Sequence, residues 1–210
     1  MNEREAIVAK AVSQIGYKEK GNNDTIYGAW YGMNYQPYCM MFISWCAAQC
    51  GISTGTIPKL AYVPYCVDFY QKQGRYKAKG TYRPQPGDLI IYGRNSHIGI
   101  VEKVQGNTVF TIEGNTSANG NSSNGDGVYR RSRALSDSWI KGYCLPDYKE
   151  EEEVEIKEVK IKSLDTGNLI GVKSVNIQGE NYIRLRDMEE IFPVKVDWDG
   201  KNPTINLSYK

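Results

Sequence analysis

The hydrophobic period of the chain changes from helical to alternating near residue 86, and this change constrains the fold more than any other feature. Before it, Asn2 is a suitable N-cap for a first amphipathic helix, and apolar segments predict two further helices at 39–49 and 64–73. After it, short runs rich in β-branched and aromatic residues predict strands at 88–92, 97–104, 108–113, 128–133 and 139–145. Helices followed by a mainly antiparallel sheet define an α+β fold.

Two polar stretches interrupt this pattern. Residues 20–37 are rich in Gly and Asn, and residues 114–127 in Gly, Asn and Ser, which predicts loops beside the second helix and beside the sheet. The first of these loops also carries aromatic residues, and they either line a groove or pack in the core. The second loop is the better candidate for a mobile groove edge.

The composition is that of a folded protein that neither crosses a membrane nor binds nucleic acid. Of 210 residues 40% are hydrophobic and 24% are charged, and the mean hydropathy is −0.53. No run of 18 apolar residues exists, so we expect no membrane insertion. The net charge of +2 is too small for a nucleic-acid-binding surface. The charged first five residues contain no apolar signal core, so we expect synthesis in the cytoplasm without a signal peptide.

A domain boundary is predicted where the sequence becomes acidic. The segment PDYKEEEEVE at 146–155 starts with a proline and continues as a run of like charge, which is typical of a linker. We therefore predict a first domain at 1–146, an acidic linker at 147–155 and a small β-rich α+β domain at 156–210. For the last domain the sequence predicts strands at 156–163, 169–173, 174–178 and 182–185, a short helix at 186–192, and two paired strands at 194–198 and 204–208. The last domain has about 55 residues, a marginal size for an independent core, so docking or formation of a homo-oligomer through it is expected.

Cysteine and histidine usage points to nucleophilic chemistry. The chain has five cysteines, an odd number that does not favour a disulfide framework, and one histidine. Cys39 stands where a loop becomes a buried helix, and free N–H groups at that position favour a thiolate. His97 opens a strand and has no competing histidine as the proton acceptor. Because no CxxC pair occurs and the loop at 21–24 before Cys39 offers a single carboxylate, Asp24, we predict no metal and no cofactor.

The imidazole needs a third group to orient it, and the hairpin between the strands at 97–104 and 108–113 supplies candidates. With the turn centred on Gln105 and Gly106, His97 lies opposite residue 113 or 114. This register predicts that Glu113 or Asn115 lies beside His97.

Four motifs in the same order give the chain a resemblance to a known family. PYCMMFISWCA at 37–47, PGDLI at 86–90, SHIGIVE at 96–102 and TIEGN at 111–115 resemble the motifs of CHAP domains, the cysteine- and histidine-dependent amidohydrolases and peptidases. The resemblance runs from about residue 5 to 146. This sequence departs from the family motifs at Tyr38, where the family usually has Trp, and at Ser96, where the family usually has Gly.

The resemblance implies a papain-like α+β fold and hydrolysis of an amide bond in bacterial peptidoglycan. By position, Cys39 is the nucleophile, His97 the general base and then acid, Glu113 the residue that orients His97, and Asn115 a supporting partner. Candidate substrate-binding residues are Trp30, Tyr35, Gln36 and Tyr38. For the second oxyanion donor, besides the Cys39 N–H, the candidates are Asn34 and Gln36.

The bond that is cut is left open between the muramoyl–L-alanine amide, which we favour slightly, and a bond of the stem or cross-bridge peptide. A wall substrate without a signal peptide suggests an endolysin of phage or prophage origin, released through a holin pore. Two alternatives remain: a catalytically silent wall-binding module and a cytosolic thiol acyltransferase on the same scaffold.

The C-terminal segment resembles a second family. YIRLRD at 182–187 and VKVDWDGK at 194–201 resemble the small stalk-like domain named after the N-terminal part of copper amine oxidases. The resemblance implies a wall-targeting or self-association module, with a simple spacer as the alternative. Copper is not expected, because residues 148–210 lack His and Cys.

Overall fold

The computed structural model describes residues 2–117 and 125–149, together with the backbone strands at 156–162, 169–177, 180–183, 194–198 and 205–209. The chain divides into two compact units, Met1–Glu151 and Glu152–Lys210. Within the described residues, no helix has the length and apolar character needed to cross a membrane.

The first unit is an α+β structure, as predicted. Its helices are α1 (Glu3–Val12), α2 (Ile26–Tyr31), α3 (Cys39–Gln49) and α4 (Val63–Lys72). Its strands are β1 (Tyr76–Ala78), β2 (Leu89–Tyr92), β3 (His97–Gln105), β4 (Thr108–Thr116), β5 (Gly127–Ala134) and β6 (Ile140–Cys144). They form one antiparallel sheet in the order β1-β6-β2-β3-β4-β5. This architecture is consistent with a papain-like CHAP domain.

Helix α3 is the centre of the core. Its sequence is almost wholly apolar, eight of its eleven residues are buried, and it packs against β3 and β4. The sheet residues that pack with it alternate along the strands, among them Ile98, Ile100 and Ile112. The intervening residues form a second cluster that includes Ile90, Tyr92 and Val101. The sheet is therefore buried on both faces.

The loop predicted at 20–37 contains a helix, so that prediction is wrong for its centre. Thr25 caps α2 by accepting a hydrogen bond from the Gly28 N–H at 2.9 Å. In the sequence, Gly28 indicates a turn. In the structure it allows close packing, since a Cβ there would lie 2.9 Å from Asn34 Oδ1. Gly32, with a φ of 91°, ends the helix.

The register of the β3–β4 hairpin differs from the prediction. Gln105 pairs with Thr108 across a two-residue turn, and a bulge between Val101 and Lys103 then brings Ile100 opposite Ile112. The turn residues are Gly106 and Asn107, one position later than predicted, which moves the partner of His97 along β4 by two residues; the bulge reverses one residue of this shift. As a result Gly99, two residues after His97, lies beside Glu113. The predicted register is wrong because it places the turn one position too early.

Strand β4 continues to Thr116, so the predicted loop at 114–127 begins too early. The register between β4 and β5 shifts between Glu113 and Thr116. Asn115 lies in this irregularity with a φ of 55°. It is therefore a bulge residue of the sheet, and its backbone is not part of a loop.

Residues at the start of the predicted linker are bound to the first unit. The Asp147 carboxylate accepts a 2.7 Å hydrogen bond from Arg75, and the Tyr148 hydroxyl donates to the Gly87 carbonyl at 2.6 Å. The Lys149 N–H donates to Glu3 at 2.8 Å. The contacts of this unit thus extend beyond the predicted end at residue 146, while the rest of the linker lies outside the described residues.

The second unit contains β7 (Ile156–Lys162), β8 (Leu169–Ile177), β9 (Glu180–Ile183), β10 (Val194–Trp198) and β11 (Ile205–Tyr209). The first three form an antiparallel sheet in the order β7-β8-β9, and β10 pairs with β11 as predicted. Two strands predicted at 169–173 and 174–178 are one strand in the structure. The short helix predicted at 186–192 lies outside the described residues.

The contact between β4 and α3 leaves no room for a side chain at Gly114. A Cβ there would lie 2.8 Å from Cβ and Cγ of Phe42, a residue with no exposed surface. We predict that Gly114→Ala lowers the free energy of unfolding by about 1–3 kcal/mol, because the helix must move away from the sheet. Chemical denaturation measures this loss. Gly55→Ala is the control, since its Cβ would have an ordinary 3.6 Å contact; equal stability of the two variants would contradict the prediction.

Candidate active site

Cys39 is the first residue of α3 and lies at the wall of a cavity of about 630 Å³. It is 6% exposed, so its sulfur faces the cavity from within the core. No side chain caps this helix at Tyr38. The first-turn N–H groups of α3 have no intrahelical acceptors, and together with the helix dipole they favour negative charge at this end.

His97 is the first residue of β3 and pairs with Tyr92 of β2. Its Nε2 lies 3.0 Å from Oε2 of Glu113. The side chains of His97 and Cys39 are also within hydrogen-bonding reach of each other. Because Nε2 is engaged by Glu113, Nδ1 is the nitrogen left for the sulfur. The structure therefore brings the three predicted residues together in the order Cys39, His97, Glu113.

Glu113 is buried, and donors surround its carboxylate. Oε1 accepts hydrogen bonds from the hydroxyls of Tyr92 at 2.8 Å and Thr111 at 2.7 Å, while Oε2 faces His97. Burial alone raises the pKa of this carboxyl group, but the hydrogen bonds from His97, Thr111 and Tyr92 outweigh it and lower the pKa. Glu113 is thus a fixed negative charge.

Gly99 makes the contact between Glu113 and His97 possible. A Cβ at residue 99 would lie 2.7 Å from Cγ of Glu113. Without this side chain, the glutamate passes diagonally over Gly99 to the residue two positions earlier in β3. The glycine that follows the histidine in the motif therefore provides space for the carboxylate.

The charge state of His97 follows from these neighbours. Burial disfavours the imidazolium, but hydrogen bonding and electrostatic interaction with Cys39 and Glu113 outweigh it, raising the pKa of His97 to about 10. At neutral pH His97 is then an imidazolium that lies between the Cys39 sulfur and the Glu113 carboxylate. On the same helix, burial raises the pKa of Cys46 well above its usual value.

Two aromatic rings that sequence reasoning missed lie against His97. Tyr92 and Trp139 stack at 4.6 Å between ring centroids, and the imidazole is nearly parallel to both at 5.8 and 5.9 Å. The Arg133 guanidinium lies 4.4 Å from the Trp139 centroid. Trp139 precedes β6 and is remote in sequence from the four motifs, so only the sheet order could have placed it here.

Asn115 lines the same cavity and is 3% exposed. Its Oδ1 is buried and accepts no hydrogen bond from the residues that the structure describes. The bulge and the left-handed backbone direct this side chain toward the cavity. The hydrogen bond that orients the His97 ring comes from Glu113, and the Cys39 side chain lies next to the ring.

The predicted substrate-binding residues have different positions. Gln36 lines the cavity. Tyr38 is fully buried and stacks on Tyr27 in the core. Trp30 is half-buried under the Lys59 ammonium, and Tyr35 is 57% exposed; neither lines the cavity.

Of the two candidate oxyanion donors, Asn34 is already engaged elsewhere. Its Nδ2 donates to Asp24 at 2.7 Å, and its Oδ1 accepts from the Thr25 N–H at 2.9 Å. Gln36 is left as the side-chain candidate. Among the residues that the structure describes, no three His, Cys, Asp or Glu side chains form a group that could hold a metal ion.

The opposite wall of the cavity was not predicted. It consists of residues 61–65 before and within the first turn of α4, and of residues 94–96 between β2 and β3. Tyr62 and Tyr65 are more than half exposed and pack edge to face at 5.2 Å. The sequence contains no relation between these tyrosines and Cys39, because only the tertiary fold brings the start of α4 to the cavity that contains Cys39.

Comparison with known proteins identifies the segment that carries this site. Residues 29–115 match the family model of the CHAP domain. The CHAP match spans Cys39, His97, Glu113 and Asn115, and it ends before Trp139. A comparison with curated proteins gives no match.

Among solved structures, the chain is similar to the crystal structure of Ly7917, with 15% identity, a TM-score of 0.44, and coverage of 85% of this chain and 79% of that chain. It is similar to the crystal structure of Ly7917 with the hydrolyzing product of MDP, with 13% identity, a TM-score of 0.44, and coverage of 85% and 80%. The CHAP match and the geometry of the site carry the functional argument.

The charge of His97 can be measured directly because the chain has one histidine. We predict an imidazolium at pH 7–8 that loses its proton near pH 10, and a lower pKa in Glu113→Gln, where the negative partner is gone. Imidazole NMR shifts over a pH titration of untagged protein measure both. Glu102→Gln is the control, because Glu102 lies on the same strand as His97 but its carboxylate pairs with Arg130.

The raised pKa of His97 makes the stability of the fold depend on pH. The folded-state pKa of His97 lies above the ordinary 6.5, so its contribution to stability is complete below pH 6.5 and is lost as the pH rises toward 10. A neutral imidazole at pH 7 in the unmodified protein would contradict the assignment of the ion pair.

Proposed function

We propose that this protein is a cysteine-dependent hydrolase that cleaves an amide bond of bacterial peptidoglycan. The observation that carries the proposal is the buried chain of contacts from Glu113 through His97 to Cys39 at the wall of an open cavity. The match of residues 29–115 to the CHAP domain supports the reaction class and the wall substrate.

In the proposed reaction, the Cys39 thiolate attacks the carbonyl carbon of the amide. The oxyanion of the tetrahedral intermediate accepts hydrogen bonds from the Cys39 N–H at the start of α3 and from Gln36. As the C–N bond breaks, His97 donates its Nδ1 proton to the leaving amine, and Cys39 is left as a thioester.

The second half of the reaction regenerates the enzyme. His97 is now neutral and removes a proton from water, which attacks the thioester carbonyl. The C–S bond breaks, the carboxylic acid leaves, and the thiolate–imidazolium pair forms again. Throughout, Glu113 holds the imidazole orientation and stabilises its positive charge. Asn115 is assigned a supporting role beside His97.

We favour the muramoyl–L-alanine amide over a bond within the stem or cross-bridge peptide. We further propose that the protein is an endolysin that acts on the bacterial wall. The second unit would then bind the wall or mediate self-association. The silent binding module remains the alternative, and the intact Cys39–His97–Glu113 set argues against it.

The first test is mass spectrometry of purified Gram-positive peptidoglycan after digestion. We expect the unmodified protein to release stem peptides with a free N-terminal L-Ala amine, and Cys39→Ala to release none, a loss of at least about a thousandfold. If the products instead show hydrolysis within the stem peptide or the cross-bridge, the protein is an endopeptidase. Cys46→Ala is the matched control, because this thiol is fully buried on the same helix. No release at pH 6–8 with reductant would favour the binding module.

The second test separates the two units. We expect a chain that ends after Glu151 to hydrolyse soluble peptidoglycan fragments at a rate within about twofold of the full chain, because the cavity and its charges belong to the first unit. Binding to intact walls, measured by co-sedimentation, should fall. Loss of turnover on soluble fragments would contradict the proposal that the second unit acts only in binding or association.

A further inference from the structure

Arg94 is the one arginine of the first unit whose guanidinium has no hydrogen-bond or ion-pair partner among the described residues. The other six arginines all donate to carboxylates or carbonyls, namely Arg4, Arg75, Arg83, Arg130, Arg131 and Arg133. Arg94 is exposed and lines the cavity that contains Cys39. A guanidinium with no partner at the wall of this cavity is available to a ligand.

The cavity wall contains no group that would compete for this charge. Among its described lining residues, Arg94 is the one with a permanently charged side chain, and none is a carboxylate. The His97 imidazolium and the Glu113 carboxylate lie 3.0 Å apart behind the wall and offset each other. The remaining charge on the wall is therefore positive, which attracts an anionic group of the substrate.

The backbone of Arg94 is fixed although its guanidinium is free. The turn between β2 and β3 is closed by the Ser96 N–H donating to Tyr92 at 3.1 Å, and the Gly93 N–H donates to the Trp139 carbonyl at 2.8 Å. Gly93 and Asn95 on either side have φ values of 59° and 58°, which fit this tight turn. His97 follows three residues later on the same hairpin. An anion bound by Arg94 would thus be positioned relative to the catalytic pair.

We propose that Arg94 binds a carboxylate of the peptide substrate and makes the enzyme selective for stem peptides that carry it over peptides in which it is amidated. A guanidinium binds a carboxylate through two parallel hydrogen bonds, and a neutral carboxamide cannot accept both with the same strength. Stem peptides carry free carboxylates at side chains and at their ends, and amidation removes them. This inference rests on the proposed function and specifies its substrate class.

The kinetic test compares two soluble muropeptides that differ only in carboxylate against carboxamide. We expect Arg94→Gln to reduce kcat/KM for the carboxylate form about tenfold through KM, with little change for the carboxamide form. Arg94→Lys should retain part of the preference, since it keeps the charge but not the bidentate geometry. Arg83→Gln is the control, because this exposed arginine lies outside the cavity and donates to Gly106. Equal losses on both substrates, or no loss on either, would overturn the proposal.

A binding test does not depend on turnover. Calorimetric titration of Cys39→Ala with the same two muropeptides should give tighter binding of the carboxylate form, and this difference should vanish in the Cys39→Ala, Arg94→Gln double variant. Equal affinities of Cys39→Ala for the two forms would overturn the role of Arg94 even where hydrolysis is observed. If hydrolysis is absent but the affinity difference depends on Arg94, the proposed function fails while the carboxylate site stands.

Discussion

The hydrogen bonds accepted by the Glu113 carboxylate are the interaction on which the rest of the site depends. A buried carboxylate is strongly destabilising unless donors satisfy its oxygens. Two of its donors are hydroxyls of the same sheet, Tyr92 and Thr111, and they hold the carboxylate in place without using the imidazole. The third position is therefore free for His97, which lies 3.0 Å away and whose positive charge persists despite burial because Cys39 and this fixed anion both raise its pKa.

Two irregularities of the sheet convert this interaction into an active-site geometry. The bulge in β3 brings Glu113 beside Gly99, from which its side chain reaches His97. The second irregularity is the register shift between Glu113 and Thr116 of β4, and it turns Asn115 toward the cavity. Gly114 lies between these two residues and lets β4 contact Phe42 of α3. Since α3 also begins at Cys39, the segment at 113–115 both orients the histidine and supports the helix that carries the thiol.

The sequence predicted the elements of the site better than their register. Cys39 and His97 stood out because one lies at a helix start and the other is the single histidine, which are local properties. Glu113 was found despite a register error of about two residues, because its side chain is long enough to span the difference. Trp139 and the Tyr62–Tyr65 wall could not be found, because they reach the site through sheet order and helix packing. Helix α2 was missed because Gly28 indicates a turn, whereas the structure uses it for close packing with Asn34.

The arrangement also separates chemistry from substrate selection. Cys39, His97 and Glu113 lie in a row, and the charges of the His97 imidazolium and the Glu113 carboxylate offset each other across 3.0 Å. The charge that a substrate meets at the wall is then that of Arg94, on a turn whose backbone is fixed by Trp139. Because the same hairpin carries His97, a change in this turn that preserves its two left-handed positions can alter substrate preference without moving the catalytic groups. Specificity can therefore vary at residues 94–96 while the hydrogen bonds around Glu113 keep the reaction unchanged.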